Sequence, residues 1–421
     1  MKIGFAGPAS LHLLADHVHN GQAMPSGYEF PPMSLWTLQL LARGHRVVLF
    51  THAQGVTRPQ SYFGDRLTIH IGRQRARGKA RDFFALERRD MVEMMKADPC
   101  DIIHANWTYE FALAALDSGQ PVLVTAHDAP LRALRYFRTP YRFMRLCMAW
   151  RVARRAPYLT AVSQDTAGHI RRYLRYKRPI AIVPNALASE DFELGRARKE
   201  HPHHGAFTVA SVLTGWKGLK NGPAALKAFG ILRRSLPDAH LLLFGHDYAP
   251  GGPAETWARQ NNLTAGVEFA GPVPNRSLLR RLAREADVLL HPALEESFGM
   301  AVAEAMALGL PVVGGKHSGA VPALLDYGRA GELVDVRSPS EISDSLALLA
   351  ADSTRRQRLG VRAFESALER FNSDVVFEQY EEIYMKILNE SNGYKKSARE
   401  QLIFSEIQDP TPNARNHTFP F

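Results

Sequence analysis

The chain has 421 residues, 45% of them hydrophobic, and 52 Lys and Arg against 42 Asp and Glu, for a formal charge of +10. Such a length exceeds one ordinary domain and suits two of about 200 residues each, while two cysteines, Cys100 and Cys147, exclude a disulfide framework and fit a reducing compartment. No run approaches the roughly 18 apolar residues of a membrane span, and MKIGFAG opens directly on a strand without the pattern of a secretory leader, so a soluble, cytoplasmic protein is expected. The positive charge points to a polyanionic partner: a phosphorylated substrate, an anionic membrane surface or a nucleic acid.

In chain order, strands are expected at residues 1–6, 46–51, 67–71, 101–104, 121–125, 158–162 and 180–183, with helices at 31–43 and 82–97 and between the later strands. Apolar runs alternating with helical patterns predict a parallel sheet covered on both faces. The loop over 7–32 contains PSGYEFPP, in which Gly27 either lets backbone approach a phosphate or forms a plain turn. DIIHANW and VTAHD put His104 and His127 just past strand ends, where ligand clefts form in such sheets. Cleft histidines and capping or packing histidines share that position.

Residues 130–157 hold eight Arg and no Asp, Glu or Lys. Arg132, Arg135, Arg138, Arg142 and Arg145 recur every three or four residues, which predicts one basic helical stripe, kinked at Pro140, beside Leu131, Leu134, Phe137, Tyr141 and Met144. It is either a core-packed helix with a solvated face or a docking element for an acceptor or an anionic membrane. No nucleic-acid-binding motif accompanies it, so nucleic acid is not the expected partner.

GRARKEHPHHG, residues 195–205, reads as a linker; His201, His203 and His204 within it have no Cys or acidic partner spaced to complete a metal shell, and no metal is expected. A second alternating set follows, with strands at 207–212, 239–244, 267–270, 288–290, 312–313 and 332–334 and helices at 220–234, 275–284 and 339–350. Two doubly wound α/β domains with a cleft between them result. The last helix, 373–388, carries a stripe of Val376, Phe377, Tyr380, Ile383, Tyr384 and Ile387 that needs a partner surface. The expected boundaries are 1–194, 206–371 and 372–390, with a poorly ordered tail at 391–421.

The most informative stretch is 286–315, ADVLLHPALEESFGMAVAEAMALGLPVVGG, a strand, a loop, a helix and a second strand. Glu296 lies in the loop and Glu304 within the first two helical turns, so the two are close along the axis. Between them the amides of Gly299, Met300 and Ala301 start the helix, and unpaired helix-start donors attract phosphate oxygens. Carboxylates beside a phosphate site are better suited to accept from hydroxyls, of a sugar at one and of a ribose at the other. Glu295 next to Glu296 is a decoy for the same role.

ESFGMAVAEAMALGLPVV resembles the signature of retaining, nucleotide-sugar-dependent glycosyltransferases of the glycogen-synthase-like group, which includes family 4. The resemblance implies two Rossmann-like domains in a GT-B arrangement and a terminal helix that crosses back onto the first domain. It implies a nucleotide-diphosphate sugar as donor, a glycan, lipid or small-molecule acceptor, and no obligatory metal or cofactor. By the same resemblance His127 lies against the transferred sugar, Lys220 clamps the diphosphate, and the base meets backbone near Pro272 and Val273. WKGLKNGPAALKAF lacks the Arg usual a few residues before that Lys, leaving Lys217 as the nearest cation. The acid of the family's G-G-x-P-E segment is replaced near Pro322 and Ala323. His127, Glu296 and Lys220 are the expected catalytic set. Glu304, Lys217, Gly299, Met300, Ala301, Val273 and Gly27 are expected on the donor, and Arg132, Arg135, Arg138 and Arg142 on acceptor or membrane. Rival functions are a nucleotide-sugar epimerase or phosphorylase of the same architecture, and a non-catalytic basic binding module.

Overall fold

A computed structural model describes residues 1–200 and 205–391. Its strands are β1 (Lys2–Ala6), β2 (Arg46–Ala53), β3 (Gln60–Phe63), β4 (Leu67–Arg73), β5 (Ile102–Asn106), β6 (Val122–Ala126), β7 (Tyr158–Ala161) and β8 (Ile180–Ile182), then β9 (Thr208–Val212), β10 (His240–Phe244), β11 (Val267–Gly271), β12 (Val288–His291), β13 (Val312–Gly315) and β14 (Glu332–Val334). Among the described residues they form two sheets, ordered 3-4-2-1-5-6-7-8 and 11-10-9-12-13-14. Both are parallel except where β3 runs against β4. Strands such as Ile102–Asn106 and Val122–Ala126 are buried along their whole length because helices cover both faces.

In each sheet the chain winds outward in one direction, returns, and winds outward in the other. The order reverses between β1 and β5 in the first sheet and between β9 and β12 in the second. Such switch points leave a crevice outside the strands' carboxyl ends. Asn106 ends β5 and His291 ends β12, so both stand at a crevice.

The terminal helix Ser373–Ser391 packs on the first sheet: Val376, Phe377, Tyr380, Tyr384 and Ile387 are buried in one cluster with Ile3, Phe5, Val47 and Ile102, and Ile383 packs at its edge. Glu381 seals its rim by accepting from Arg43 at 2.9 and 2.7 Å and pairing with His45 at 2.7 Å. His104 belongs to this interface. Its ring nitrogens meet the Tyr384 hydroxyl at 2.7 Å and Thr125 Oγ1 at 2.6 Å, and burial lowers its pKa to about 3. It is a satisfied core histidine. Beside it, chain exit and return run together, with the Leu187 amide donating to the Phe371 carbonyl at 2.7 Å and the Ser373 amide to the Leu187 carbonyl at 3.0 Å.

Three local expectations need correction. β3, QSYF, is a strand that the sequence pattern does not predict, because a four-residue edge strand exposed on alternate residues carries little apolar signal. The first half of the expected linker is the end of a helix, Ser189–Glu200. Most of its polar residues face solvent, while Asp191 and Phe192 are buried and Gly195 lies so close to the Ala307 carbonyl that a Cβ would stand 2.1 Å from it. The basic segment is two helices, Pro130–Phe137 and Pro140–Arg155. Arg138 ends the first in the left-handed region at φ +45°, and Thr139 caps the second by accepting from the Arg142 amide at 3.3 Å, so Pro140 starts a new helix instead of kinking an old one. His201, His203 and His204 and residues 392–421 of the expected tail lie outside the described residues. No helix among the described residues is long and apolar enough to cross a membrane.

Candidate active site

A cleft of about 550 Å³ lies between the carboxyl ends of the two sheets. Its second-sheet wall is built by the short helix Met300–Ala307, whose entry residue Gly299 has φ +99°, a conformation costly for any residue with a Cβ. Val302 and Ala303 donate to the Gly299 carbonyl at 3.0 and 3.1 Å, which leaves the Gly299, Met300 and Ala301 amides without a partner among the described residues. All three residues line the cleft, as do Pro272 and Val273 after β11.

Facing these amides is a charged core. Lys220, at the end of a single turn Gly218–Lys220, donates to Glu296 Oε1, and His291 Nε2 meets the same oxygen at 3.2 Å. Asn221 fixes the turn by donating to the Pro292 and Val336 carbonyls at 3.1 and 2.8 Å. Burial alone would raise the Glu296 pKa, but His291 and Lys220 outweigh it and hold the carboxyl at about 2. Glu296 is therefore an anion at any working pH and cannot serve as a general acid. Glu304 is the opposite case: burial raises it to about 7, opposed by the Asn275 amide that donates to it at 2.9 Å.

His127, just past β6, forms the opposite wall. Its ring stacks on Trp36 at 5.9 Å and packs against Trp107 at 4.5 Å, and Nε2 meets Asn106 Oδ1 at 2.8 Å. Burial lowers its pKa to about 3, opposed by a hydrogen bond that the ring donates to Asn185, so the imidazole is neutral. It is a hydrogen-bonding group held in a slot.

Residues 36–190 match the family described as Glycosyltransferase Family 4, and residues 199–366 match Glycosyl transferases group 1; the two matches together take in most of the chain. This chain belongs to the GT-B glycosyltransferases of family 4. The N-acetyl-alpha-D-glucosaminyl L-malate synthase of Bacillus anthracis is 24% identical over 318 residues, 72% of this chain and 80% of the relative. Among solved structures, the sucrose-phosphate synthase of Thermosynechococcus elongatus superposes with a TM-score of 0.70 at 18% identity, covering 92% of this chain and 99% of that one. The Anabaena protein HepE, solved in complex with UDP-glucose, gives 0.65 at 18% identity, covering 92% and 100%. These two similarities show the fold.

In this glycosyltransferase His127, Lys220, Glu296, Glu304, Gly299, Met300, Ala301 and Val273 come together on one cleft. Lys217 and Gly27 do not line it. Lys217 is exposed at the start of the Lys220 turn, and Gly27 lets its loop approach the Ala9 carbonyl, where a Cβ would stand 2.3 Å away. The expected arginine stripe is dispersed. Arg132 pairs with Asp165 and Glu295, and Arg145 is paired with Glu110 and lies 3.6 Å over the Tyr109 ring. Arg135, Arg138 and Arg142 stay at the surface, near Tyr136, Phe137, Tyr141 and Phe143, the last 59% exposed. His291 and Asn275 are cleft residues the sequence did not single out, and buried Asn106 reaches the site through its bond to His127. For His291 a signal existed: it closes an apolar strand, the same position that marks His127.

Proposed function

We propose that this glycosyltransferase moves a sugar from a nucleotide-diphosphate donor to an acceptor hydroxyl with retention of configuration. The observation that carries the proposal is the Lys220–Glu296 pair beside three unpartnered helix-start amides, with His127 across the same cleft. The amides and Lys220 take the diphosphate, whose charge grows as the glycosidic bond breaks, so their attraction strengthens toward the transition state. Glu296 holds Lys220 and His291 in place at the sugar side, and Glu304 accepts from ribose hydroxyls. His127 bonds the transferred sugar. Residues 1–194 form the acceptor half, 206–371 the donor half and 372–390 the crossover. HepE, of the same fold, is solved with UDP-glucose, which makes a uridine nucleotide the first donor to try.

The test is turnover of a panel of nucleotide-diphosphate sugars with and without candidate acceptors, with the product anomer read by NMR. Acceptor-dependent transfer that keeps the donor's anomeric configuration supports the proposal; inversion, or conversion of the donor sugar without transfer, sinks it. Glu304 adds a pH signature. Ribose hydroxyls bond the ionised carboxylate most strongly, so donor binding favours deprotonation of a group that titrates near 7. Donor affinity is expected to be constant above pH 7 and to weaken below it, by up to about tenfold per unit. Titrating affinity from pH 5.5 to 8.5 should show that slope in the wild type and none in Glu304→Gln.

A second feature favours a membrane-associated acceptor. Tyr136, Phe137, Tyr141, Phe143 and Trp150 are exposed on the two helices that carry Arg135, Arg142, Arg151 and Arg154, with Arg138 at the turn between them, the mixture that suits an anionic bilayer interface at the inner face of a membrane. At about 1 kcal/mol per surface arginine, an Arg135→Glu, Arg138→Glu, Arg142→Glu variant should lose at least tenfold in binding to anionic vesicles. Co-sedimentation unchanged from wild type would remove the membrane from the scheme.

A further inference from the structure

Glu295 and Arg132 have no part in the donor scheme, yet their contact bridges the cleft. Arg132 lies on the helix Pro130–Phe137, just beyond His127. Its guanidinium grips Asp165, at the start of the helix Gln164–Leu174, at 2.5 and 2.8 Å, and the same Nη1 also reaches Glu295 in the loop after β12. Both side chains of the bridging pair are shielded, 27% exposed for Arg132 and 17% for Glu295. One turn away Ser163 Oγ and Thr166 Oγ1 donate to the Ser297 carbonyl at 2.6 and 3.2 Å. First-sheet residues therefore hold the chain on each side of Glu296. Second-sheet residues hold Glu296 itself: the Ala320 amide donates to its carbonyl at 2.9 Å, and Lys220 and His291 take its carboxylate.

The charges in this contact are unequal. One guanidinium faces two carboxylates, and Asp165 already offers it a two-pronged partner within the first half of the molecule. If the halves separate, Arg132 keeps Asp165 while Glu295 is left alone. Closing thus gains one partly shielded ion pair and two hydroxyl-to-carbonyl bonds, a contact strong enough to bias closure and weak enough to release product.

We propose that Arg132 is a positioning residue: through Glu295 it latches the two halves of the cleft together and sets Glu296 against Lys220. The proposal rests on the donor-site role given to Glu296 above. Loss of the latch lowers the fraction of bound enzyme that is closed and reactive, which lowers kcat and leaves donor capture from the open state nearly unchanged.

The experiment compares Arg132→Gln, Glu295→Gln, their double variant and Glu296→Gln in the transfer assay, with small-angle X-ray scattering of each protein with and without UDP. Each latch variant should lose about tenfold in kcat with KM within about twofold, and the double variant should lose no more than either single, because both remove one contact. UDP should contract the wild type more than the latch variants. Wild-type kcat in Glu295→Gln, or multiplied losses in the double variant, would overturn the latch. If Glu296→Gln itself keeps full activity, it is the donor-site assignment that fails. If Glu296→Gln is inactive and Glu295→Gln is not, the latch alone is wrong.

Discussion

Glu296→Gln is expected to cut transfer by about two to three orders of magnitude, with the fold intact. Glutamine has the carboxylate's shape, so the loop keeps its backbone contacts with Ala320 and Ser163. What disappears is the charge. Lys220 and His291 both converge on Glu296 Oε1, and a neutral amide oxygen holds a cation less firmly and in a less defined direction. Lys220 would still attract a diphosphate, so KM should change little. It would no longer be fixed where charge develops on the departing group, so kcat should fall. Lys220→Ala should lose a comparable amount, and the double variant scarcely more than either single, since the pair acts as a unit. Single-turnover rates, with circular dichroism as the folding control, check this. Near-wild-type turnover in either single variant would refute the assigned roles.

His127→Ala is expected to lose about two orders of magnitude in transfer. The side chain is a neutral imidazole slotted between Trp36 and Trp107 and tied to Asn106. Truncation empties that slot, lets water in and removes the hydrogen bond that orients the sugar. His127→Gln should recover part of the rate, because an amide can still bond a hydroxyl from nearly the same place. With a pKa of about 3, His127 should contribute no inflection to the kcat profile between pH 5 and 8. An inflection in that range that vanishes in His127→Gln would mean that the residue transfers protons, and the binding role would have to be abandoned.

Much of the fold was legible because both sheets are buried on two faces, which writes strands such as β6, β10 and β12 into the sequence as near-continuous apolar runs. The terminal helix was legible for a similar reason: a stripe with no partner of its own must find one. Elements at surfaces were harder. β3 is half exposed, the helix Ser189–Glu200 hides few apolar residues, and arginines in 130–157 recur at helical spacing across a break that Arg138 and Thr139 impose. Spacing alone cannot tell one helix from two when the turn between them takes only two residues.

The sequence by itself determined the strand–loop–helix that places Glu296, Gly299 and Glu304 within a few residues of one another, since local periodicity and a glycine at the helix start are enough to build it. Tertiary structure decided what those residues face. Lys220 meets Glu296 across 76 positions and Arg132 meets Glu295 across 163, and His291 turns toward the same carboxylate from the end of its strand. Periodicity shows which face of an element is buried, but not which charge waits on another element. The packing of the two sheets made Glu296 a fixed anion and Glu304 a group that titrates near neutrality, because burial and partners, not residue type, set those values.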